Sequence, residues 1–121
     1  MTGAVFDAPI LVDALVGLSA ARTAIITVSE RYITRLAWAE IMAGARGDED
    51  RVEEFLHHFK VIELNEDIAR RAAVLRRQRP AMAMGEALTL ACAQLSGRIL
   101  VTRNIQDFPA ELPGIRVPYT L

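Results

Sequence analysis

"RILVTRNIQDFP", residues 98–109, is the stretch from which the fold can be read. Ile99 to Thr102 give the strongest strand pattern in the chain. The run passes directly into a tight polar turn that carries Asn104 and Asp107 and is closed by Phe108 and Pro109. "GAVF", residues 3–6, repeats the pattern: a short buried strand ending on a carboxylate, Asp7. Between these two strands the chain alternates. Pro9 suits the first turn of a helix, where its missing N–H costs nothing, and Gly17 ends that helix. A second apolar helix is expected over 18–29, although the β-branched "TAIITVS" also suits an extended chain. "RYI" (31–33) reads as a short edge strand or a linker, and 34–45 as an apolar helix loosened by Gly44 and Gly47.

Asp48 is expected to cap the next helix, with Glu49 and Asp50 in its first turn, where the helix dipole favours anions. "KVIEL" (60–64) is a strand candidate, and Asn65 a cap for a helix opened by Glu66 and Asp67. On that helix Ile68, Ala72 and Leu75 share one face, while Arg70, Arg71, Arg76, Arg77 and Arg79 fill much of the rest before Pro80 ends it. Residues 86–96 read as a helix with Leu88, Ala91, Cys92 and Leu95 inward and Gly97 as its stop; "IRV" (115–117) is the last strand. Strands alternating with helices through short loops imply one α/β domain over residues 1–121. Its layers run α/β/α, with a mostly parallel central sheet covered on both faces.

At 121 residues, with 52% hydrophobic and 24% charged, the chain has the make-up of one globular domain. A formal net charge of -1 argues against holding nucleic acid by bulk charge. The basic residues are almost all arginine, with Lys60 the one lysine, a bias that suits bidentate contacts to phosphate or carboxylate. Cys92 is alone, which leaves no disulfide framework and no thiolate metal site. The opening "MTGAVFDAPILVDAL" lacks a basic segment and is interrupted by Asp7 and Asp13, so a signal peptide is not expected. No run reaches the ~18 apolar residues of a membrane span, and the cytoplasm is the expected compartment. "ILVDALVGLSAARTAIITVS" (10–29) carries only Asp13 and Arg22 as charges, more apolar surface than one core face needs, which points to a homodimer.

In open parallel sheets, ligands bind beyond the carboxyl ends of the strands. Asp7 and Asp107 both fall there. Glu40 sits mid-helix in "LAWAEIMAGA", where a lone charge is costly to bury unless it is paired or binds a cation, and Glu86 opens its helix after "AMAMG". Together the four acids offer the oxygen ligands that a hard divalent cation takes. Each also has a plainer reading. Asp7 and Glu86 suit helix N-termini, Glu40 has Arg35 and Arg46 nearby in sequence, and Asn104 and Asp107 are turn formers. Other constellations fail: His57 and His58 are adjacent and point apart on a helix, and there is neither a glycine-rich phosphate loop nor a serine elbow.

Five blocks, "VFDAPILVDAL", "TRLAWAEIMAGA", "LNEDIARRAAVLRRQ", "MGEALTLACAQLSG" and "LVTRNIQDFPAELPGIRV", resemble in this order the PIN-domain toxins of the VapC type. The resemblance runs nearly end to end, and the last block is its most specific part. It implies a PIN-like fold and a Mg²⁺- or Mn²⁺-dependent endoribonuclease that cuts RNA, is usually dimeric and is held inactive by a cognate antitoxin. The family's acids fall on Asp7, Glu40, Glu86 and Asp107, as metal-binding and catalytic residues, with Asn104 as a polar companion; Arg103, beside them, is placed to contact phosphate. Two departures stand out. Ala8 and Pro9 follow Asp7 where the family usually has a hydroxyl residue and then Asn, and Gly85-Glu86 stands where it usually has Pro-Asp. A PIN fold with a decayed metal site, acting only as an antitoxin- or RNA-binding module, is therefore an alternative expectation. A phosphoacceptor receiver domain, which also gathers acids at strand ends, lacks its late basic residue here, since Lys60 precedes the wrong element.

Overall fold

The computed structural model describes residues 3–108 and 112–121. Among these the order is β1 Gly3–Phe6, α1 Ala8–Leu15, α2 Ser19–Ile26, β2 Glu30–Thr34, α3 Arg35–Ala43, α4 Glu49–Leu56, β3 Lys60–Ile62, α5 Glu66–Gln78, α6 Met84–Ser96, β4 Ile99–Val101 and β5 Ile115–Arg116. The strands form one sheet in the order β3-β2-β1-β4-β5, and every neighbouring pair is parallel. A receiver-type sheet has the order 2-1-3-4-5, so the topology sets that alternative aside.

Alternation along each strand sends neighbouring side chains to opposite faces. Ala4, Phe6, Ile33 and Val101 pack with Ile10, Leu11, Ile25, Ile41, Leu56 and Phe59 of the α1–α4 side. Val5 and Leu100 pack with Ile68, Ala72, Leu75, Leu90 and Ala91 of α5 and α6. The result is the expected three layers. Helix boundaries follow local chemistry: the Asn65 side chain accepts from Ile68 N–H at 2.9 Å to start α5, and Gly97, at φ +67°, ends α6 in a left-handed turn that a side chain would strain.

Three expectations are corrected and one is sharpened. "RYI" lies inside β2, which pairs with both β1 and β3 and so is an interior strand. The helix expected over 18–29 is present as α2 and stops at Ile26, with Ala21, Ala24 and Ile25 burying one helical face. Leu95 is 52% exposed, since α6 turns Leu90, Ala91, Cys92 and Ala93 inward instead. Asp48 occupies the cap position of α4 but its side chain bonds no helix N–H; its carboxylate accepts from Arg51 Nε at 2.7 Å instead. No single helix among the described residues is long and apolar enough to cross a membrane.

Candidate functional site

The position of the site follows from strand order. β1 is central, with β2 and β3 added on one side and β4 and β5 on the other. The loops leaving β1 and β4 therefore diverge and open a crevice at the carboxyl edge. A cleft of about 640 Å³ lies there, and Asp7, Glu40, Glu86, Thr89, Arg103 and Asn104 are among its lining residues.

Asp7, the first residue after β1, is 8% exposed. One carboxylate oxygen accepts from Ala8 N–H at 3.1 Å and the other from the Thr102 hydroxyl at 2.8 Å. The buried Thr102 oxygen in turn accepts from Asn104 N–H at 3.0 Å. An amide N–H can only donate, so the hydroxyl hydrogen is directed to Asp7. Burial nevertheless pushes the Asp7 carboxyl above its ordinary range. The bonds from Thr102 and Ala8 pull it back, and the nearby charges of Glu86 and Glu40 push it up again.

Glu40 stands on α3 at the cleft rim, exposed rather than buried among its apolar neighbours. Partial burial, followed by the charge of Glu86, raises its carboxyl. Arg35 is committed elsewhere: its Nε donates to Glu63 at 3.0 Å and its guanidinium lies 5.1 Å from the Trp38 ring centroid. Glu86 is half-buried in the first turn of α6. A Cβ on the preceding Gly85 would stand 3.4 Å from Leu36 Cδ2, an ordinary contact, so crowding does not demand glycine there.

Asp107 is set apart from this group. Its carboxylate accepts from the Asn104 side-chain amide at 3.1 Å, and its N–H donates to the Asn104 side-chain oxygen at 3.4 Å. The cleft thus gathers Asp7, Glu40, Glu86, Arg103 and Asn104, with Asp107 one side chain further out. Pro109 lies outside the described residues. His57 and His58 are exposed at the end of α4.

Arg103 is already engaged. Its Nε and one terminal nitrogen donate to Asp13 at 2.6 and 3.2 Å, and the Tyr119 hydroxyl donates to the same carboxylate at 2.7 Å. The Arg103 bond holds the Asp13 carboxyl below its usual range, Tyr119 and the Arg103 charge act the same way, and burial opposes them. Sequence reading missed Asp13, Tyr119 and Thr102 as parts of this region. The one local signal was a carboxylate inside the apolar "ILVDALV", which has to find a cation once buried.

Among the described residues, no three Asp, Glu, His or Cys side chains stand close enough to hold one metal ion between them as they are. The donor chemistry still fits a hard divalent cation. The cleft offers carboxylate oxygens without thiolate or imidazole, and both the burial and the mutual repulsion that raise Asp7 and Glu40 are what a cation offsets.

Residues 4–110 match the PIN domain. The chain belongs to the PIN-domain family. A toxin-antitoxin complex from Klebsiella pneumoniae contains a chain 36% identical to this one, with a TM-score of 0.92 over 98% of this chain and 99% of that one. Within the family, this agrees with the VapC-type toxin branch that the five sequence blocks resemble. More distant likeness, which speaks for the fold, extends to FitAcB from Neisseria gonorrhoeae (17% identity, TM-score 0.82, 98% and 99% covered). It extends also to VapBC2 from Rickettsia felis bound to a DNA fragment from its promoter (16%, 0.78, 93% and 95%). No curated protein matches.

Proposed function

We propose that this chain is a divalent-metal-dependent endoribonuclease and the toxin half of a toxin–antitoxin pair. The observation that carries the reading is the convergence of Asp7, Glu40 and Glu86 on one cleft at the point where the strand order reverses, with the Asp7 carboxyl raised by burial first and by its acidic neighbours second. Asp7, Glu40 and Glu86 would hold Mg²⁺ or Mn²⁺ through carboxylate oxygens and retained waters, with Asp107 joining through Asn104. When bound, such an ion supplies a water of lowered pKa and offsets charge on the leaving oxygen of an RNA phosphodiester. The residues do the rest. Thr102 fixes the Asp7 carboxylate, and Asn104 closes the loop over the cleft. Glu40, at the rim of the cleft, takes the proton of the attacking water on a carboxylate oxygen.

The family branch supports an antitoxin as partner, and the apolar 10–29 segment, where Val16 and Ile26 are exposed, supports a homodimer. An antitoxin would meet the acidic cleft with a basic side chain, since a guanidinium fork satisfies unshared carboxylates. A structure of the complex with the acids left open to solvent would contradict that contact, and sedimentation as a monomer at micromolar concentration would contradict the dimer.

RNA cleavage by the purified chain with and without Mn²⁺, wild type against Asp7→Asn with circular dichroism as the fold control, tests the nuclease reading. Equal cleavage by the two sinks it. A second reading, a PIN fold retained for binding only, is favoured by the separation of the acids and by Ala8-Pro9 and Gly85-Glu86. Glu86→Asp separates the two. In a working site the shorter arm loses reach and cleavage falls; in a decayed one it restores Mn²⁺ binding.

A further inference from the structure

The Arg103–Asp13–Tyr119 cluster is more elaborate than a rim ion pair needs to be. Asp13 lies near the carboxyl end of α1, where the helix dipole disfavours an acid, and it is buried with a hydroxyl and a guanidinium on one carboxylate. A guanidinium has five N–H donors and more than one edge that can grip two oxygens. Asp13 takes the side edge, Nε and one terminal nitrogen. The end edge, between the two terminal nitrogens, keeps three hydrogens; the Tyr119 hydroxyl, which sits on the same Asp13 oxygen as Nε, also bears on the guanidinium. Arg103 also lines the acidic cleft, its side chain 30% exposed.

Electrostatics then restrict what this edge is for. Asp13 already balances the Arg103 charge, so the cleft with Asp7, Glu40 and Glu86 has no net positive field with which to draw in a polyanion. A donor edge aimed in advance is a different device. It recognises a phosphate by geometry, and an arginine held on its other side loses little rotamer freedom when it binds. Tyr119 contributes from a segment remote in sequence, its ring packed against the α1–α4 core and its hydroxyl on the oxygen that receives Arg103 Nε.

We propose that Asp13 and Tyr119 are positioning residues that hold Arg103 with its free edge toward the cleft, where it grips a backbone phosphate of single-stranded RNA. The proposal rests on the RNA substrate of the function proposed above and deepens it. The test is binding of a labelled single-stranded RNA, in EDTA and again in Ca²⁺, measured against salt concentration. Arg103→Gln should weaken binding about tenfold at low salt, the scale of a lost charge-assisted pair, and lower the log–log salt slope by about 0.7, one phosphate contact on a single strand. Arg103→Lys should not restore the affinity, because a point charge cannot be gripped along one edge and present another. Tyr119→Phe should weaken binding severalfold with the salt slope unchanged and the thermal midpoint nearly so, since every charge and the ring packing remain. Wild-type affinity and slope in Arg103→Gln, wild-type affinity in Tyr119→Phe, or no RNA binding by the wild type would each overturn the proposal. If the wild type binds RNA through Arg103 yet does not cleave it with Mn²⁺, the nuclease reading fails and this inference stands.

Discussion

Two buried aspartates lie six residues apart, one capping the start of α1 and one in its last turn, and the protein treats them in opposite ways. Asp13 has an arginine fork and a tyrosine hydroxyl, and its carboxyl is held below the usual range. Asp7 has a threonine hydroxyl and one backbone N–H, faces two further acids, and its carboxyl is held above it. Exposure does not separate them, at 7% and 8%. What differs is whether the protein itself supplies the countercharge. A buried acid given its own cation serves the fold; one left among other acids stays without a countercharge, which is what the proposed metal site requires.

The strongest way to break this contrast is Asp7→Asn. Loss of a metal ligand should reduce Mn²⁺-dependent RNA cleavage by more than the roughly 10- to 100-fold that outer partners of a metal site command, while the fold is kept. Asp13→Asn should do the reverse in kind. It leaves Arg103 without its countercharge and should cost about 2 kcal/mol in urea unfolding, less than the ~3–5 kcal/mol of a fully enclosed pair because the Arg103 side is open to water. If Asp13→Asn unfolds like wild type, the structural half of the comparison is wrong.

Thr102→Val sharpens the comparison from within. It keeps shape, removes the hydroxyl from Asp7 and strands Asn104 N–H, so Mn²⁺ affinity should fall about tenfold, with Thr102→Ser restoring most of it. Titration calorimetry reads this without any cleavage assay. The smallest effect is in the pH dependence of stability, and its sign differs between the two residues. Asp13 is depressed on folding, so its contribution is present above the unfolded carboxylate range and lost as pH falls through its folded value. Asp7 is raised, so wild type gives up stability as pH rises through its folded value. In urea titrations from pH 3 to 7 without metal, Asp7→Asn should gain on wild type as pH rises, and Asp13→Asn should lose ground over the same interval.

Much of this was legible in the chain, for physical reasons that can be named. β1 and β4 were readable because short β-branched runs ending in polar turns have few alternatives, and the ends of α5 and α6 because Asn65 and Gly97 each perform a local backbone task. Asp7, Glu40 and Glu86 were readable because charge at an element boundary or beside apolar residues needs an explanation. Local rules do not reach contacts made across the chain. Arg103 meets Asp13 from 90 positions away, and Tyr119 meets it from 106. For the same reason "RYI" reads from sequence only as an edge strand or a linker: which strands flank it is settled by β1 and β3, not by its own residues.

Strand order has a further consequence, for the time at which the cleft comes into being. Asp7 and Thr102 are 95 residues apart in sequence, and β4, which pairs with β1, follows every other strand except β5. Synthesis proceeds at roughly 5–20 residues per second from the N-terminus, so Asp7 leaves the ribosome several seconds ahead of the hydroxyl that will hold it. Until β4 is released, the nascent chain can assemble α1–α4 against β1, β2 and β3, but it lacks the side of the crevice that Arg103 and Asn104 supply. The loop-closing pairing that completes the sheet is also the one that completes the site. A ribosome making this protein is therefore not exposed to an assembled cleft on its own partial product.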